Sequence, residues 1–308
     1  MKILKAGELD FACEVLRSGD LLAFPTETVY GLGGNAYSDE VVAKIFKYKS
    51  RSPFNPVSVC YPSFYNASQD IEINPKAELL AKEFLPGALT IVLKKKVNSK
   101  ISWMCSAGGD TVGIRVPNNS IALDLLKKLD FPLAAPSANT SSELSTTTAQ
   151  SVTESLKNCD DLVILDGGTC SLGIESTIID LSVENQPKIL RKGAISQEEI
   201  ENRCGFTLVE TECSKFSHYK PTKPIITNVQ KIEKEDALLA FGNPISGAKY
   251  CLNLSSNSDL TEAAKNFFLM LRKLDSTDAK RICIMPIPNI SIGLAINDRL
   301  KKATQKDK

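Results

Sequence analysis

The stretch PTETVYGLGGNAYSDEVVAKIFKYKSRSPFNP, residues 25–56, sets turn residues, hydroxyls and cations between two apolar segments. It follows Leu21-Leu22-Ala23-Phe24, a short apolar run that reads as a buried strand and that Pro25 ends. Thr26, Glu27 and Thr28 therefore sit on a loop at a strand end, where open α/β sheets bind ligands. Gly31, Gly33 and Gly34 are expected to let the backbone turn tightly or approach a ligand closely. Ser38 is placed to cap a helix carrying Val41, Val42, Ile45 and Phe46 on one face. Lys47, Lys49 and Arg51 leave that helix as a cationic cluster. Each feature alone also has an ordinary reading, because Gly-rich turns are common and cations at a helix C-terminus complement its dipole.

Outward from this centre, strands and helices alternate. Residues 8–18 carry Leu9, Ala12, Cys13, Val15 and Leu16 at helical spacing, with Gly19 as a stop. Strands are expected at 57–60, 89–93, 111–116, 133–135, 162–165, 176–181 and 188–190, and helices at 76–84, 121–129 and 147–157. This alternation predicts one α/β domain over 1–203. Residues 204–227 are rich in Thr, Ser, Lys and Pro without periodicity and read as a linker. A smaller α/β unit follows over 228–308, with strands at 237–241, 250–254 and 281–285, an amphipathic helix at 260–274 and a last helix.

Composition narrows the function classes. Lys plus Arg number 37 against 36 Asp plus Glu, so anion or nucleic-acid binding must come from local patches. Glu8 and Asp10 interrupt the first residues, and no run is long and apolar enough for a membrane helix, so a cytoplasmic protein without a membrane partner is expected. The nine cysteines are scattered without a Cys-x-x-Cys pair, which predicts reduced thiols and no zinc site. His218 is the single histidine and lies in a polar segment without a Gly-x-Ser-x-Gly elbow, so a Ser-His-Asp hydrolase is disfavoured.

Three further segments carry possible anion chemistry. Arg115 sits in an apolar strand, where its guanidinium fork suits either a buried ion pair or a bound carboxylate or phosphate. Residues 133–141 run from a short strand into Pro136-Ser137-Ala138-Asn139, and hydroxyls through Ser145 continue towards the next helix, a possible phosphate cradle. Residues 168–173 mimic a Walker A loop, but Ile174 stands where the lysine must be, and Glu175-Ser176-Thr177 opens a strand instead.

Together these segments resemble the YrdC-like threonylcarbamoyl-AMP synthase family, in its two-domain type. The family pattern Pro-Thr-Glu-Thr-x-Tyr-Gly-Leu-Gly is met by Pro25 to Gly33, and Lys49, Arg51, Asn55 and Pro56 follow in register. Thr111 to Arg115, Pro136 to Asn139, Asp166-Gly167-Gly168, Glu175 to Thr177 and Arg191-x-Gly193-Ala194 come in the family order, and the tail has Tyr219, Pro221 and Asp298-Arg299. Ser52, Val57 and Cys60 replace the family's usual Pro, Leu and His, and Glu212 and Cys213 replace a linker Pro-Gly.

The resemblance implies a twisted, mixed α/β sheet with a concave active site, followed by a smaller Rossmann-like α/β domain. It implies an enzyme that joins L-threonine, bicarbonate and ATP into threonylcarbamoyl-adenylate, releasing pyrophosphate, with Mg2+ carried on the ATP. The product would pass to a tRNA-modifying threonylcarbamoyl transferase, and weak tRNA binding is possible. By family position Lys49 and Arg51 would be catalytic cations. Arg115 would clamp the threonine carboxylate, with Thr26, Ala135 and Ser176 completing its pocket. Lys49, Thr111, Ser137, Asn139, Ser145 and Arg191 would hold ATP, and Tyr219 would fold over it. Two rival readings are a noncatalytic double-stranded RNA-binding module and a carbamoyl-adenylate-forming maturation enzyme.

Overall fold

The computed structural model describes residues 1–211 and 219–304; Glu212, Cys213 and His218 lie outside the described residues. The central stretch folds as a hairpin and a helix. Leu22–Phe24 pairs antiparallel with Gly31–Asn35, matching Leu22 to Gly33 and Phe24 to Gly31, so residues 25–30 form the connecting loop. The Ser38 side chain accepts from the Val41 N–H and caps the helix Asp39–Lys49, whose Val41, Val42, Ile45 and Phe46 are buried.

The glycines act differently from expectation. Gly31, Gly33 and Gly34 lie in a strand, and their use is close packing. A Cβ on Gly33 would stand 2.7 Å from the Phe24 ring, and one on Gly34 would stand 2.5 Å from Val41 Cγ1. An added methyl on Gly34 would collide with the core that the hairpin shares with its own helix, and one on Gly33 with the core on the other face of the sheet.

The first domain is an eleven-stranded mixed sheet. In spatial order its strands are Lys2–Lys5, Val163–Asp166, Leu22–Phe24, Gly31–Asn35, Leu133–Ala134, Val59–Cys60, Thr111–Arg115, Leu89–Lys94, Thr177–Asp180, Lys188–Arg191 and Val209–Glu210. Both faces are covered. Leu22 and Phe24 face a core with the helices Leu9–Arg17 and Ser120–Lys127, while Ala23 and Leu32 join the core under Asp39–Lys49. Burial on both faces explains why these strands read as continuous apolar runs. The outermost strand Lys2–Lys5 buries only Leu4, which leaves no alternation to mark it in the sequence.

The second domain has a four-stranded parallel sheet in the order Ile225–Thr227, Ile282–Ile284, Ala237–Ala240 and Tyr250–Asn253. The helix Leu260–Asp275 buries Ala263, Ala264, Phe267, Phe268 and Leu271 as its spacing predicts, and Gly293–Thr304 is the last helix. Strands flank the segment after Cys204: Val209–Glu210 pairs with the first sheet and Ile225–Thr227 with the second. The second core also takes in Val29, Leu144 and Ile174 from the first domain, so the two domains share apolar packing. Among the described residues no helix is long and apolar enough to cross a membrane.

Candidate active site

Several loops and strand ends converge on a cavity of about 440 Å3. Its walls are the segment after the helix Asp39–Lys49, the loop 135–145, the Glu175-Ser176 pair, Arg191 and Tyr219. Of the residues singled out in the sequence, Lys49, Arg51, Arg115, Ala135, Ser137, Asn139, Ser145, Ser176, Arg191 and Tyr219 all line it.

Lys49 ends its helix pointing inward and is 1 % exposed. Its ammonium donates to the backbone carbonyls of Ser137 and Asn139, and its own carbonyl accepts from the Ser141 N–H at 2.7 Å. The lysine thus staples the cradle loop to the helix. Burial, followed by the neighbouring Arg51, pulls its pKa well below the ordinary lysine value. Arg51 donates to the carbonyls of Asn55 and Pro56, and burial together with Arg191 lowers its pKa to about 10. Lys47 is exposed and is not part of this group. A bound polyanion would relieve the mutual repulsion of Lys49, Arg51 and Arg191.

Arg115 occupies the end of its strand at 9 % exposure. Its Nη2 donates to Glu27 Oε1 at 2.9 Å, to Thr28 Oγ1 at 2.7 Å and to Thr26 Oγ1 at 3.3 Å. Burial works against its charge, but Glu27 beside it outweighs that and raises its pKa. Of the two uses open to a strand arginine, the ion pair is therefore present, while Nη1 donates to none of the described residues. Thr26 is buried behind the cavity wall, with its hydroxyl donating to the Val29 carbonyl at 2.6 Å. Thr111 is not brought to the cavity. It begins the strand that Arg115 ends, four residues or about 13 Å away, opposite Lys94.

Another part of the wall is built from a close approach of two backbones. A Cβ on Gly193 would stand 2.3 Å from the Ser176 carbonyl carbon and the Thr177 nitrogen, so only glycine lets this turn pack there. The Ala194 N–H then bonds to the Glu175 carbonyl at 3.0 Å. Arg191 folds over Ser176, donating from Nη2 to its carbonyl at 2.8 Å and to its Oγ at 3.0 Å. Ser176 Oγ also meets Thr90 Oγ1 at 2.8 Å. Thr90 was not singled out in the sequence, although a lone hydroxyl inside Leu89–Lys94 needs a buried partner.

Glu175 also reaches the cavity and was missed as a site residue. Its Oε1 accepts from Ser145 Oγ at 2.6 Å, and its Oε2 accepts from Arg299 Nε at 3.1 Å. Burial pushes this carboxyl up, but Arg299, then Arg191 and the Ser145 hydroxyl, outweigh it and hold the pKa below the usual glutamate value. Tyr219, in the stretch that reads as a linker without periodicity, joins an apolar core. It is 8 % exposed, packs 5.6 Å from the Phe268 ring and lies under the Arg299 guanidinium while facing the cavity. The core it joins is that of the second domain, contributed by a helix some fifty residues downstream. Cys60 lies in the apolar core beside these groups, and burial raises its thiol pKa to about 11.

Residues 14–193 match the Sua5–YciO–YrdC family model, described as "Telomere recombination", and residues 195–305 match a model described as "Threonylcarbamoyl-AMP synthase, C-terminal domain". This chain belongs to the threonylcarbamoyl-AMP synthase family. A threonylcarbamoyl-AMP synthase from Pyrococcus abyssi is 35 % identical, the match covering 96 % of this chain and 94 % of the relative. One from Bacillus subtilis is 33 % identical over 95 % of this chain and 91 % of the relative. The crystal structure of P. abyssi Sua5 complexed with L-threonine superposes with a TM-score of 0.90 at 33 % identity, covering 99 % of this chain and 98 % of that one. The synthase family therefore accounts for the whole two-domain architecture, including the parallel second sheet.

Proposed function

We infer that this chain is a threonylcarbamoyl-AMP synthase, a nucleotidyltransferase that forms threonylcarbamoyl-adenylate and pyrophosphate from L-threonine, bicarbonate and ATP. The observation that carries the reading is one cavity lined both by the guanidinium fork of Arg115, suited to a carboxylate, and by three further cations, Lys49, Arg51 and Arg191. Its volume is within the range of small-ligand sites.

The geometry supports the following sequence. The threonine carboxylate takes the open Nη1 edge of Arg115, whose orientation is fixed by Glu27, Thr26 and Thr28. The threonine amine and bicarbonate combine to a carbamate with loss of water. A carbamate oxygen then attacks the α-phosphorus of ATP, the bond to the bridging oxygen of pyrophosphate breaks, and no side chain forms a covalent intermediate. Two anions must be held together against their repulsion, so the cationic wall and the exclusion of water by Tyr219 and the shared domain packing are what the site contributes. Lys49 and Arg51 neutralise the leaving pyrophosphate. Ser137, Asn139, Ser145 and Arg191 bound the nucleotide, while Ala135 and Ser176 bound the threonine side.

Magnesium would enter as part of the Mg·ATP substrate, supplying charge neutralisation at the phosphates. Among the described residues no group of three or more His, Cys, Asp or Glu could hold an ion. The product is a labile mixed anhydride, so a transferase acting on tRNA must consume it. With 37 cations against 36 carboxylates, direct tRNA contact would be weak and salt-sensitive.

The test is pyrophosphate release from ATP with each co-substrate left out. Release is expected only with L-threonine and bicarbonate together. Equal release without either one would point to an unrelated ATPase and end this reading.

A further inference from the structure

Arg299, in the middle of the last helix, has no exposed surface, yet it reaches 124 residues back along the chain to the cavity wall. Its Nε and Nη2 both lie 3.1 Å from Glu175 Oε2, its Nη1 donates to the Lys192 carbonyl and to Asp298 Oδ2, and its face covers the Tyr219 ring at 5.4 Å. An interdomain strut would explain an ion pair here, but docking does not need one. Val29, Leu144 and Ile174 already pack in the second core, and Arg272 donates to the Leu144 carbonyl at 2.6 Å. Apolar residues of similar volume would serve docking at least as well as a buried charge pair.

The position of Glu175 explains the charge. Its carboxylate stands in the wall that would face a triphosphate, and an uncompensated negative charge there would repel the nucleotide. We propose that Arg299 is a positioning residue for the nucleotide: it neutralises Glu175 and holds that carboxylate on Ser145, leaving Arg191 free to meet phosphate. The second domain thus completes the electrostatics of the active site. This rests on the reading of the cavity as an ATP site.

The groups facing Glu175 are Arg299 and, behind it, Asp298 from the last helix, Arg191 from its strand, Ser145 from the cradle loop, and Tyr219. Without Arg299, burial would push the Glu175 carboxyl up, opposed by Arg191, the Ser145 hydroxyl and a backbone N–H. It would then be neutral at low pH and charged at high pH, so ATP affinity should weaken as pH rises. Removing the carboxylate as well should abolish that dependence.

The experiment is ATP affinity, by titration calorimetry from pH 6 to pH 8.5, for the full-length parent, Arg299→Met, and Arg299→Met with Glu175→Gln. Ratios to the parent cancel the titration of ATP itself and of Lys49. The single variant should bind about tenfold more weakly relative to the parent at the alkaline end than at the acid end. The double variant should stay within about threefold of the parent throughout. Should Arg299→Met not fold, the double variant, which removes both members of the buried pair, carries the test. A loss in the single variant that is equal at every pH, a double variant as weak as the single, or a parent that does not bind ATP would overturn the proposal. A parent that binds ATP but releases pyrophosphate without threonine or bicarbonate would overturn the assigned reaction and leave the role of Arg299 standing.

Discussion

Arg115→Lys is expected to lose threonine-dependent turnover nearly as completely as Arg115→Ala. An ammonium on a flexible stem can keep one contact to Glu27 but cannot also present a planar edge to a second carboxylate. Two charge-assisted hydrogen bonds at about 1.5–3 kcal/mol each amount to a loss on the order of a hundredfold or more in threonine affinity. Arg115→Ala should in addition lower the melting temperature, because Glu27 is 5 % exposed and would be left as a buried, unpaired carboxylate at a cost of about 3–5 kcal/mol. The combination Arg115→Met with Glu27→Gln separates the two effects. It should regain most of the thermal stability and none of the threonine binding. Threonine titrations that find Arg115→Lys and the double variant binding like the parent would make Arg115 a structural ion pair only.

Lys49→Met is expected to be the most damaging single change in the cavity. The parent ammonium satisfies the carbonyls of Ser137 and Asn139, and a methionine satisfies neither. Each abandoned buried acceptor costs about 1–3 kcal/mol, so the first domain should lose roughly 2–6 kcal/mol and melt about 5–20 °C lower. Because these carbonyls fix the loop 137–141, ATP turnover should fall to background even at temperatures where the variant is folded. A calorimetric scan and a turnover assay at 20 °C check both halves. Unchanged melting with lost turnover would make Lys49 a purely electrostatic group, and retained turnover would remove it from the site.

The parts of this molecule that the sequence disclosed are those in which neighbours in the chain are neighbours in space. The Leu22–Phe24 strand, the Ser38 cap and the apolar face of Asp39–Lys49 all depend on local spacing, and each formed as expected. The motif resemblance carried the family and brought ten of the expected site residues to one cavity. What stayed hidden depended on contacts across the chain. Gly33 and Gly34 are small because Phe24 and Val41 press on them, which hydropathy does not record. Thr111, assigned to ATP by family position, shares a strand with Arg115, but the two stand at opposite ends of it, and a motif match does not record that separation. Tyr219 has polar neighbours in sequence and an aromatic core in space, and Glu175 is compensated by an arginine that no local pattern connects with it.

The central claim is that threonine, the carbon of bicarbonate and the α-phosphate of ATP become one molecule in this cavity. Mass spectrometry of the products formed from 13C-bicarbonate, L-threonine and ATP tests it directly. The account predicts a single labelled species containing threonine, the 13C carbonyl and AMP, formed in equal amount to pyrophosphate. Recovery of free AMP or ADP with unmodified threonine, and no species that carries the label together with the nucleotide, would contradict it.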